Sequence, residues 1–479
     1  MTRRIYGPFN RVEGDLEVQV EIADGAVAAA WVNSPLYRGF EQILHGKDPR
    51  DALVYTPRIC GICSVSQSMA AAAALRDAIG LSEADNGALA ANLVLACENL
   101  TDHLTHFYLF FMPDFARAEY AGRSDFESIA ARFKAQTGTA ALDMLPARAA
   151  FLHLTGILAG KWPHSLALQP GGTTRAIEPQ EKAQLRGIVA MFRRFLESTL
   201  FCDRLDQVAA IDSAAALRAW ASDHPQSDFG RFLALSADLG LDRLGRGAGR
   251  FLSYGAYDLR GDHLFAAGTW DGALHPLDTT AITEDISHAW LHGQTGPMHP
   301  LHGSTLTSLD NPDAYTWCKA PRLDGAVMET GALARQVVDG HPLARDLASA
   351  GSNVHSRVVA RLLELARVVP VMEEWIAALQ PGQPFCRLAD MPNEATGVGL
   401  VEAARGSLGH WLRVRKGRIL NYQIIAPTTW NFSPRDAAGT PGALEQALVG
   451  TPVGADGANS ASVQHVVRSF DPCMVCTVH

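Results

Sequence analysis

The chain is poor in cysteine and has no excess of positive charge, and each shortage excludes a class of protein. Eight cysteines among 479 residues are too few for a secreted domain stapled by disulfides. Lys and Arg number 41 and Asp and Glu number 50, for a formal net charge of −9. An acidic chain of this kind is not expected to bind nucleic acid.

Long apolar runs are also missing. No stretch of the sequence is apolar for long enough to span a bilayer, so no membrane span is expected. The first residues carry Arg3 and Arg4 with no apolar segment behind them, which argues against a secretory signal. Internal repeats, low-complexity tracts and obvious linkers are absent from the sequence as well.

Half of the cysteines form two Cys-x-x-Cys pairs at opposite ends of the chain. Cys60 and Cys63 make the first pair, and Cys473 and Cys476 make the second. In local zinc modules the two pairs lie only about 15–20 residues apart. Thiolates from such distant segments therefore predict a buried metal site on which both chain ends converge. The remaining cysteines lack ligand spacing and are predicted to be buried structural thiols: Cys97, Cys202, Cys318 and Cys386.

The spacing leaves the identity of the metal open. Thiolates select zinc, iron–sulfur clusters, nickel or copper(I). Structural zinc is the commonest occupant of four-cysteine sites, whereas a redox dithiol would explain only one of the pairs. The charged residues Arg58 and Asp471 beside the pairs weigh against structural zinc, which needs neither.

The N-terminal half contains a clear hairpin and a clear helix. Apolar residues alternate over 16–22, Asp24-Gly25 supplies a turn, and 27–32 return, which predicts a hairpin over 15–33. Residues 64–79 predict an alanine-rich helix that ends at Gly80. The first cysteine pair then lies at a helix N-terminus, where the helix dipole favours thiolate.

A longer apolar helix is predicted over about 85–111. Glu98, Asp102 and His106 follow one stripe along it, and such a polar stripe usually marks a solvated face. The other predicted elements are helices near 125–136, 178–199, 212–222 and 355–379, a loop-rich segment over 240–325, and a second hairpin over 411–425.

Together these elements predict an α+β, predominantly helical fold. Its centre is a bundle of long helices, with small antiparallel sheets or hairpins at the periphery. The two cysteine pairs must meet, so residues 1–479 are predicted to form one interwoven unit. Its parts are the N-terminal hairpin over 15–33, a helical core over about 64–379, and a C-terminal hairpin with the cysteine motif over 411–479.

Over most of its length the chain resembles the large subunit of nickel–iron hydrogenases. The motifs that carry the resemblance are Arg11-Val-Glu-Gly14, Arg38-Gly-Phe-Glu41, Asp48-Pro-Arg-Asp51, Arg58-Ile-Cys-Gly-Ile-Cys63, Trp317-Cys-Lys-Ala-Pro-Arg322 with Glu329, Glu402-Ala-Ala-Arg-Gly406, Asn421-Tyr-Gln423, Pro427-Thr-Thr-Trp-Asn431 and Asp471-Pro-Cys-Met-Val-Cys-Thr-Val-His479.

The resemblance implies a nickel–iron centre that splits dihydrogen heterolytically. All four cysteines would bind nickel, with Cys60 and Cys473 terminal and with Cys63 and Cys476 bridging to an iron. That iron would carry carbon monoxide and cyanide ligands. The chain is therefore expected to be an enzyme, a hydrogenase of the nickel–iron type.

Residues around the centre also take roles from the resemblance. Glu13 would exchange protons with Cys473 as a catalytic group. Arg405 would lie over the metals, anchored by charge-assisted pairs with Asp102 and Asp471.

Further positions match a cyanide pocket and a second metal site. Pro427 and Thr428 would surround the second cyanide. Glu41, the terminal His479 and the carbonyl of Ile424 would bind magnesium or a similar hard ion. The family motif also implies cleavage of a C-terminal extension after metal loading, and the chain ends where that mature form is expected to end.

Five positions depart from the family pattern. Asp15 and Gln67 replace histidines, and Ala404 replaces a proline. Ile62 and Phe110 are bulkier than the usual Val and Leu on the gas path, which predicts that oxygen is hindered more than hydrogen. These features resemble the regulatory branch, whose members are slow, oxygen-insensitive hydrogen sensors that signal to a histidine kinase.

Other functions and the partners follow from the same residues. A respiratory uptake hydrogenase would share the site, a quinone-reductase relative would lack the four cysteines, and a zinc-stabilised interaction protein would use them structurally.

No cysteines with cluster spacing remain for electron exit, so an iron–sulfur small subunit in an obligate heterodimer is expected. The sensor branch implies a cytoplasmic location.

Overall fold

The computed structural model describes residues 2–454, 457 and 461–479. The α-helices are Phe40–Leu44, Ala52–Tyr55, Ser64–Ile79, Asp85–Thr105, Phe126–Phe133, Thr139–Ala159, Pro179–Phe195, Leu205–Ala209, Ala214–Asp223, Asp228–Leu239, Ala332–Val338, Pro342–Leu347, Val354–Ala378, Pro427–Asn431, Ala443–Leu448, Ala461–Ser469 and Met474–Thr477. The π-helical turns are His106–Phe111 and Leu196–Leu200. The 3-10 helices are Pro49–Asp51, Thr56–Arg58, Met112–Ala116, Ala118–Tyr120, Leu241–Arg243 and Thr279–Ala281.

Within the described part of the chain, three antiparallel sheets have three strands each, and the remaining sheets are two-stranded pairs. The larger sheets are Thr2–Tyr6 with Glu17–Ala23 and Ala26–Asn33, Phe251–Leu259 with Asp262–Trp270 and Leu274–His275, and Glu394–Ala403 with Gly406–Arg415 and Arg418–Ile425. The pairs are Leu168–Gln169 with Gly172–Thr173, Ile282–Asp285 with Ala320–Leu323, and Leu291–His292 with Leu306–Thr307. Long helices surrounded by small sheets confirm the predicted α+β, predominantly helical class.

The helix Asp85–Thr105 lies at the centre of the largest apolar core. It packs against Thr139–Ala159 on one side and Val354–Ala378 on another, so none of its faces is solvated. Glu98, Asp102 and His106 are all at most 3% exposed. The interpretation of this stripe as a solvated face is therefore wrong, because polar periodicity alone cannot show what packs against it. Among the described residues, no helix combines the length and the apolarity needed to cross a membrane.

Both predicted hairpins are present, and each gains a strand. Glu17–Ala23 and Ala26–Asn33 pair around the Asp24-Gly25 turn, with alternate side chains of the first strand buried, and Thr2–Tyr6 adds an outer strand. The C-terminal hairpin turns at Lys416-Gly417, inside the range 411–425 predicted for it. Its extra strand, Glu394–Ala403, was missed.

Other elements also differ from the sequence predictions. The supposedly loop-rich segment 240–325 contains a regular hairpin of two nine-residue strands, Phe251–Leu259 and Asp262–Trp270. The helix Thr139–Ala159 was not predicted, because apolar residues surround it without a polar stripe and Pro146 lies inside it. Of the four unpaired cysteines, Cys202 and Cys386 are only half-buried.

The helix Ser64–Ile79 is held against the strand Glu394–Ala403 at backbone contact distance. A Cβ atom at Gly397 would lie 2.0 Å from the carbonyl oxygen of Ala74, and one at Gly399 would lie 2.0 Å from that of Ala70. Only glycine allows this approach. The contact sets the direction of the helix whose first turn follows the first cysteine pair.

Candidate metal centre

The structure brings the four thiols of the two Cys-x-x-Cys pairs together at one buried point. The Sγ atoms of Cys60 and Cys473 are 3.4 Å apart, and those of Cys63 and Cys476 are 2.8 Å apart. All four lie within 4.8 Å of one another. Two sulfurs bound to one ion at about 2.3 Å can be at most about 4.6 Å apart, so the cluster has the size of a single metal site.

Each pair is placed by the start of a helix. Cys63 occupies the N-cap position of Ser64–Ile79, at the helix start that the sequence predicted, and Cys473 occupies that of the short helix Met474–Thr477. The strand-like pairing of Glu13 with Cys473, in which Met474 N–H donates to the Glu13 carbonyl at 2.7 Å, joins the two ends of the chain. A backbone hydrogen bond thus holds the two ends of the chain together at the thiol cluster.

The electrostatics of the cluster call for a cation. A hydrogen bond from the Cys473 thiol holds the pKa of Cys60 well below its ordinary value. Burial raises the pKa of Cys476 well above its ordinary value. Four adjacent thiolates are unstable without a counter-charge, whereas a bound metal deprotonates coordinating thiols outright.

Glu98 anchors the helix that carries the first pair. Its carboxylate accepts hydrogen bonds from the backbone N–H groups of Val65 and Ser66 at 2.8 and 2.9 Å, and from Trp162 Nε1 at 3.1 Å. Burial raises the pKa of Glu98 to about 7 despite these donors. No role was predictable for Glu98 from the sequence, because its partners lie far away in the chain.

Arg405 lies between two buried carboxylates. Its Nε donates to the Asp471 carbonyl oxygen at 2.8 Å, and its Nη2 lies 3.1 Å from Asp102 Oδ1 and 3.2 Å from Asp471 Oδ1. Burial raises the pKa of Asp102 to about 8, whereas Arg405 overcomes burial at Asp471 and lowers the pKa of that carboxyl. The structure therefore brings together the three residues for which the resemblance implies charge-assisted pairs.

A second buried arginine supports the loop that carries Arg405. Arg335 makes two 2.8 Å hydrogen bonds to Glu364 and donates to the carbonyl oxygen of Ala403 at 2.9 Å. Its Nη1 also lies 3.1 Å from Glu402. Arg335 thus holds the backbone just before Arg405 in place, a role that the sequence did not predict.

Glu13 and Thr428 reach the second cysteine pair from different elements. Glu13 is half-buried. Burial and the negative charge of Cys60 raise the pKa of Glu13, and they outweigh Arg405 and Arg38, which lower it. Thr428, in the buried helix Pro427–Asn431, accepts a hydrogen bond from the backbone N–H of Cys473 at 3.2 Å. A carboxyl group with a raised pKa beside thiols is suited to proton exchange.

The comparisons with known proteins identify the family. The family model described as nickel-dependent hydrogenase matches residues 38–141 and 134–479. The chain belongs to the nickel-dependent hydrogenase family. It is 29% identical to the periplasmic NiFeSe hydrogenase large subunit of Desulfomicrobium baculatum, over 98% of this chain and 94% of that one. It is 28% identical to the uptake hydrogenase large subunit of Rhodobacter capsulatus, over 100% and 95%.

A solved structure gives the same result for the fold. The crystal structure of a reduced, active form of the Ni-Fe-Se hydrogenase from Desulfomicrobium baculatum matches with a TM-score of 0.86 and 28% identity, covering 100% of both chains. The residues of this hydrogenase fit a nickel centre, because the donor set is four buried sulfurs in contact with one another.

Two of the predicted hard-ion ligands, the side chains of Glu41 and His479, meet in this hydrogenase. His479 Nε2 lies 3.2 Å from Glu41, and the backbone N–H of Ile424 donates to Glu41 at 2.7 Å. Lys319 lies 3.7 Å from Glu41 and 3.3 Å from a second buried carboxylate, Glu284. Lys319 and His479 outweigh burial and lower the pKa of Glu41 to about 2.

Three of the residues singled out by the sequence lie outside the thiol cluster. Asp15 is exposed, whereas Glu13 two residues before it is half-buried. Ile62 is half-buried against the apolar cluster that includes Cys60 and Cys63. Phe110 is half-buried in the π-helical turn, whereas its neighbour Phe111 is the fully buried ring.

Lys319 and Glu284 were the functional candidates that sequence reasoning missed most directly. Lys319 stands inside the matched motif Trp317-Cys-Lys-Ala-Pro-Arg322, so its motif position was a usable signal. Glu284 has no such signal, because it lies in the segment predicted to be loop-rich.

Proposed function

We propose that this chain is the hydrogen-activating large subunit of a nickel–iron hydrogenase in a regulatory, hydrogen-sensing complex. The observation that supports hydrogen activation best is the buried four-thiol cluster, with Glu13 and the ion pair of Arg405 and Asp102 beside it. When bound there, a nickel–iron centre with iron-bound carbon monoxide and cyanide supplies Lewis-acid polarisation of dihydrogen. Glu13 takes up the proton, and Arg405 presents fixed N–H donors to the site.

Two further components belong to the proposal. Magnesium or a similar hard ion is held by Glu41, His479 and the Ile424 carbonyl, and the 3.2 Å approach of His479 to Glu41 supports that assignment. Electrons leave through an iron–sulfur small subunit in an obligate heterodimer, because no cysteines of this sequence remain with cluster spacing.

Infrared spectroscopy of the purified complex tests the cofactor. Carbonyl and cyanide bands that move on addition of hydrogen are expected, together with nickel by elemental analysis. Cys60→Ser should lose nickel and all bands, because a thiolate ligand is missing. The matched control is Cys97→Ser, which removes a buried thiol of the helix core and should retain both. Zinc without infrared bands in the wild type would return the four cysteines to a structural role.

The sensing role is supported by the bulk of two side chains. Ile62 lies in the turn between the first two cysteines, and Phe110 lies in the π-helical turn after the central helix. Bulky groups on a gas path hinder oxygen more than the smaller hydrogen. The expected properties are slow, oxygen-insensitive turnover and a histidine kinase reached through the complex. The cytoplasmic location is part of the same proposal.

The double variant Ile62→Val, Phe110→Leu tests the gas path. It is expected to lose activity faster under oxygen than the wild type, because smaller side chains widen the path. The measurement is hydrogen-dependent dye reduction before and after timed exposure to oxygen. Ile79→Val with Phe126→Leu is the matched control, since both side chains are also half-buried. Unchanged oxygen tolerance in the test variant would rule out the gas-path explanation.

A respiratory uptake role is the second candidate. It is favoured by the relative from Rhodobacter capsulatus, which is named an uptake hydrogenase. Turnover too slow for respiration, with a kinase co-purifying, would support sensing. Fast turnover without a kinase would support uptake.

A further inference from the structure

A chain of buried hydrogen bonds runs from the thiol cluster into the C-terminal sheet. Gln67 Nε2 lies 4.0 Å from Cys476 Sγ, and Gln67 Oε1 lies 2.8 Å from His410 Nε2. His410 Nδ1 in turn lies 2.7 Å from the hydroxyl of Tyr422. Gln67, His410 and Tyr422 are each at most 1% exposed.

The direction of each hydrogen bond follows from chemistry. An amide oxygen only accepts, so His410 Nε2 carries the hydrogen that points to Gln67. His410 is fully buried and its ring nitrogens meet only the uncharged side chains of Gln67 and Tyr422, so the imidazole stays neutral. A neutral imidazole has one N–H, so its Nδ1 accepts and Tyr422 O–H donates.

In the opposite arrangement the Gln67 amide N–H would donate to His410 Nε2, and His410 Nδ1–H would donate to Tyr422. This arrangement is unfavourable at both ends of the chain of hydrogen bonds. It would place the Gln67 amide oxygen against the electron-rich sulfur of Cys476. It would also leave the Tyr422 O–H without an acceptor, since His410 is its sole hydrogen-bond partner among the described residues. A buried hydroxyl hydrogen without an acceptor costs about 1–3 kcal/mol.

Rigid elements hold the chain of bonds in place. His410 and Tyr422 lie on neighbouring strands, with Tyr422 opposite Leu412 and His410 opposite Ile424, so they are diagonal neighbours on one face. Gln67 projects from the first turn of Ser64–Ile79, which packs on the same sheet. Sites on helices and strands are more precisely held than sites on loops.

We propose that His410 and Tyr422 are positioning residues that turn the N–H group of Gln67 toward the sulfur of Cys476. A sulfur that accepts an N–H hydrogen bond donates less electron density to a metal. The pair therefore tunes the thiolate that is predicted to bind iron as well as nickel. Tyr422 thus sets the orientation of the Gln67 amide through His410, although it does not contact Gln67 itself. This inference rests on the cofactor proposed above and is independent of the sensing role.

The test is the position of the iron-bound carbonyl band in the purified complex. Gln67→Leu removes the donor, and Tyr422→Phe removes the group that sets its direction. Both are expected to shift the band to lower wavenumber, because the sulfur regains electron density. If Tyr422 acts through Gln67, the double variant should show the Gln67→Leu shift with no addition. Tyr257→Phe, which removes a buried hydroxyl bonded to Asn99 instead, is the matched control and should leave the band in place.

Two band positions would overturn the inference. One is an unshifted band in Tyr422→Phe with full nickel content, and the other is a shift that adds to that of Gln67→Leu. His410→Leu is the second variant and should reproduce the shift of Tyr422→Phe. Loss of nickel in both of these variants would make the pair structural. Absence of carbonyl bands from the wild type would instead contradict the proposed cofactor.

Discussion

Replacing Arg405 by methionine is expected to lower the free energy of unfolding by about 3–5 kcal/mol and to reduce hydrogen activation by about 10²–10³-fold. The variant removes the guanidinium that Asp102 and Asp471 share, each at most 3% exposed, and leaves the ionised Asp471 carboxylate buried without that cation. An uncompensated buried charge costs far more than a lost surface pair. The activity falls because fixed N–H donors beside the metal site disappear.

Thermal unfolding of the purified complex and hydrogen–deuterium exchange activity measure the two effects. Arg204→Met is the matched control, since its partner Asp206 is exposed and an exposed pair contributes at most about 1 kcal/mol. Arg405→Met combined with Asp102→Asn and Asp471→Asn should recover stability without recovering activity. An Arg405→Met protein as stable as the control would show that these carboxylates do not depend on Arg405.

Replacing Glu13 by glutamine is expected to reduce hydrogen–deuterium exchange by about 10²–10⁴-fold with nickel retained. The substitution keeps the shape of the side chain and removes its titratable proton. Burial and the Cys60 thiol raise the pKa of Glu13, so its carboxyl group can hold and release a proton nearer neutral pH than an exposed glutamate can. Exchange activity and nickel content of the same sample provide the measurement.

The control separates proton transfer from local structure. Glu17→Gln alters a half-buried glutamate on the neighbouring strand, which bonds to Asn33 at 3.1 Å, and should leave exchange near the wild-type rate. Wild-type exchange in Glu13→Gln would mean that another group carries the proton. Nickel loss in Glu13→Gln would instead assign Glu13 a structural role.

Several elements around the site were predictable because their signals are local. The helix Ser64–Ile79 ends at Gly80 as predicted, because a left-handed glycine terminates it. Cys63 consequently occupies the N-cap position of a helix, as its spacing indicated. The hairpin around Asp24-Gly25 follows from strict alternation and a turn dipeptide.

Other elements depend on contacts that no local pattern encodes. The strand Glu394–Ala403 has glycines that weaken its strand pattern, yet those glycines are what admit the helix Ser64–Ile79. Glu98 looked like part of a solvated stripe. The structure buries it instead, since burial is a property of the whole packing arrangement.

The sequence by itself determined the chemistry of the centre: four thiols in two pairs, with Glu13, Arg405 and Asp471 in motifs beside them. Residue types and short spacings are covalent facts, so they can be read directly. Only the tertiary structure decided which distant groups support that chemistry. Arg335, Glu98 and the pair His410–Tyr422 reach the site across gaps of many residues. Their roles arise because packing buries them, and buried polar groups must find partners wherever the fold provides them.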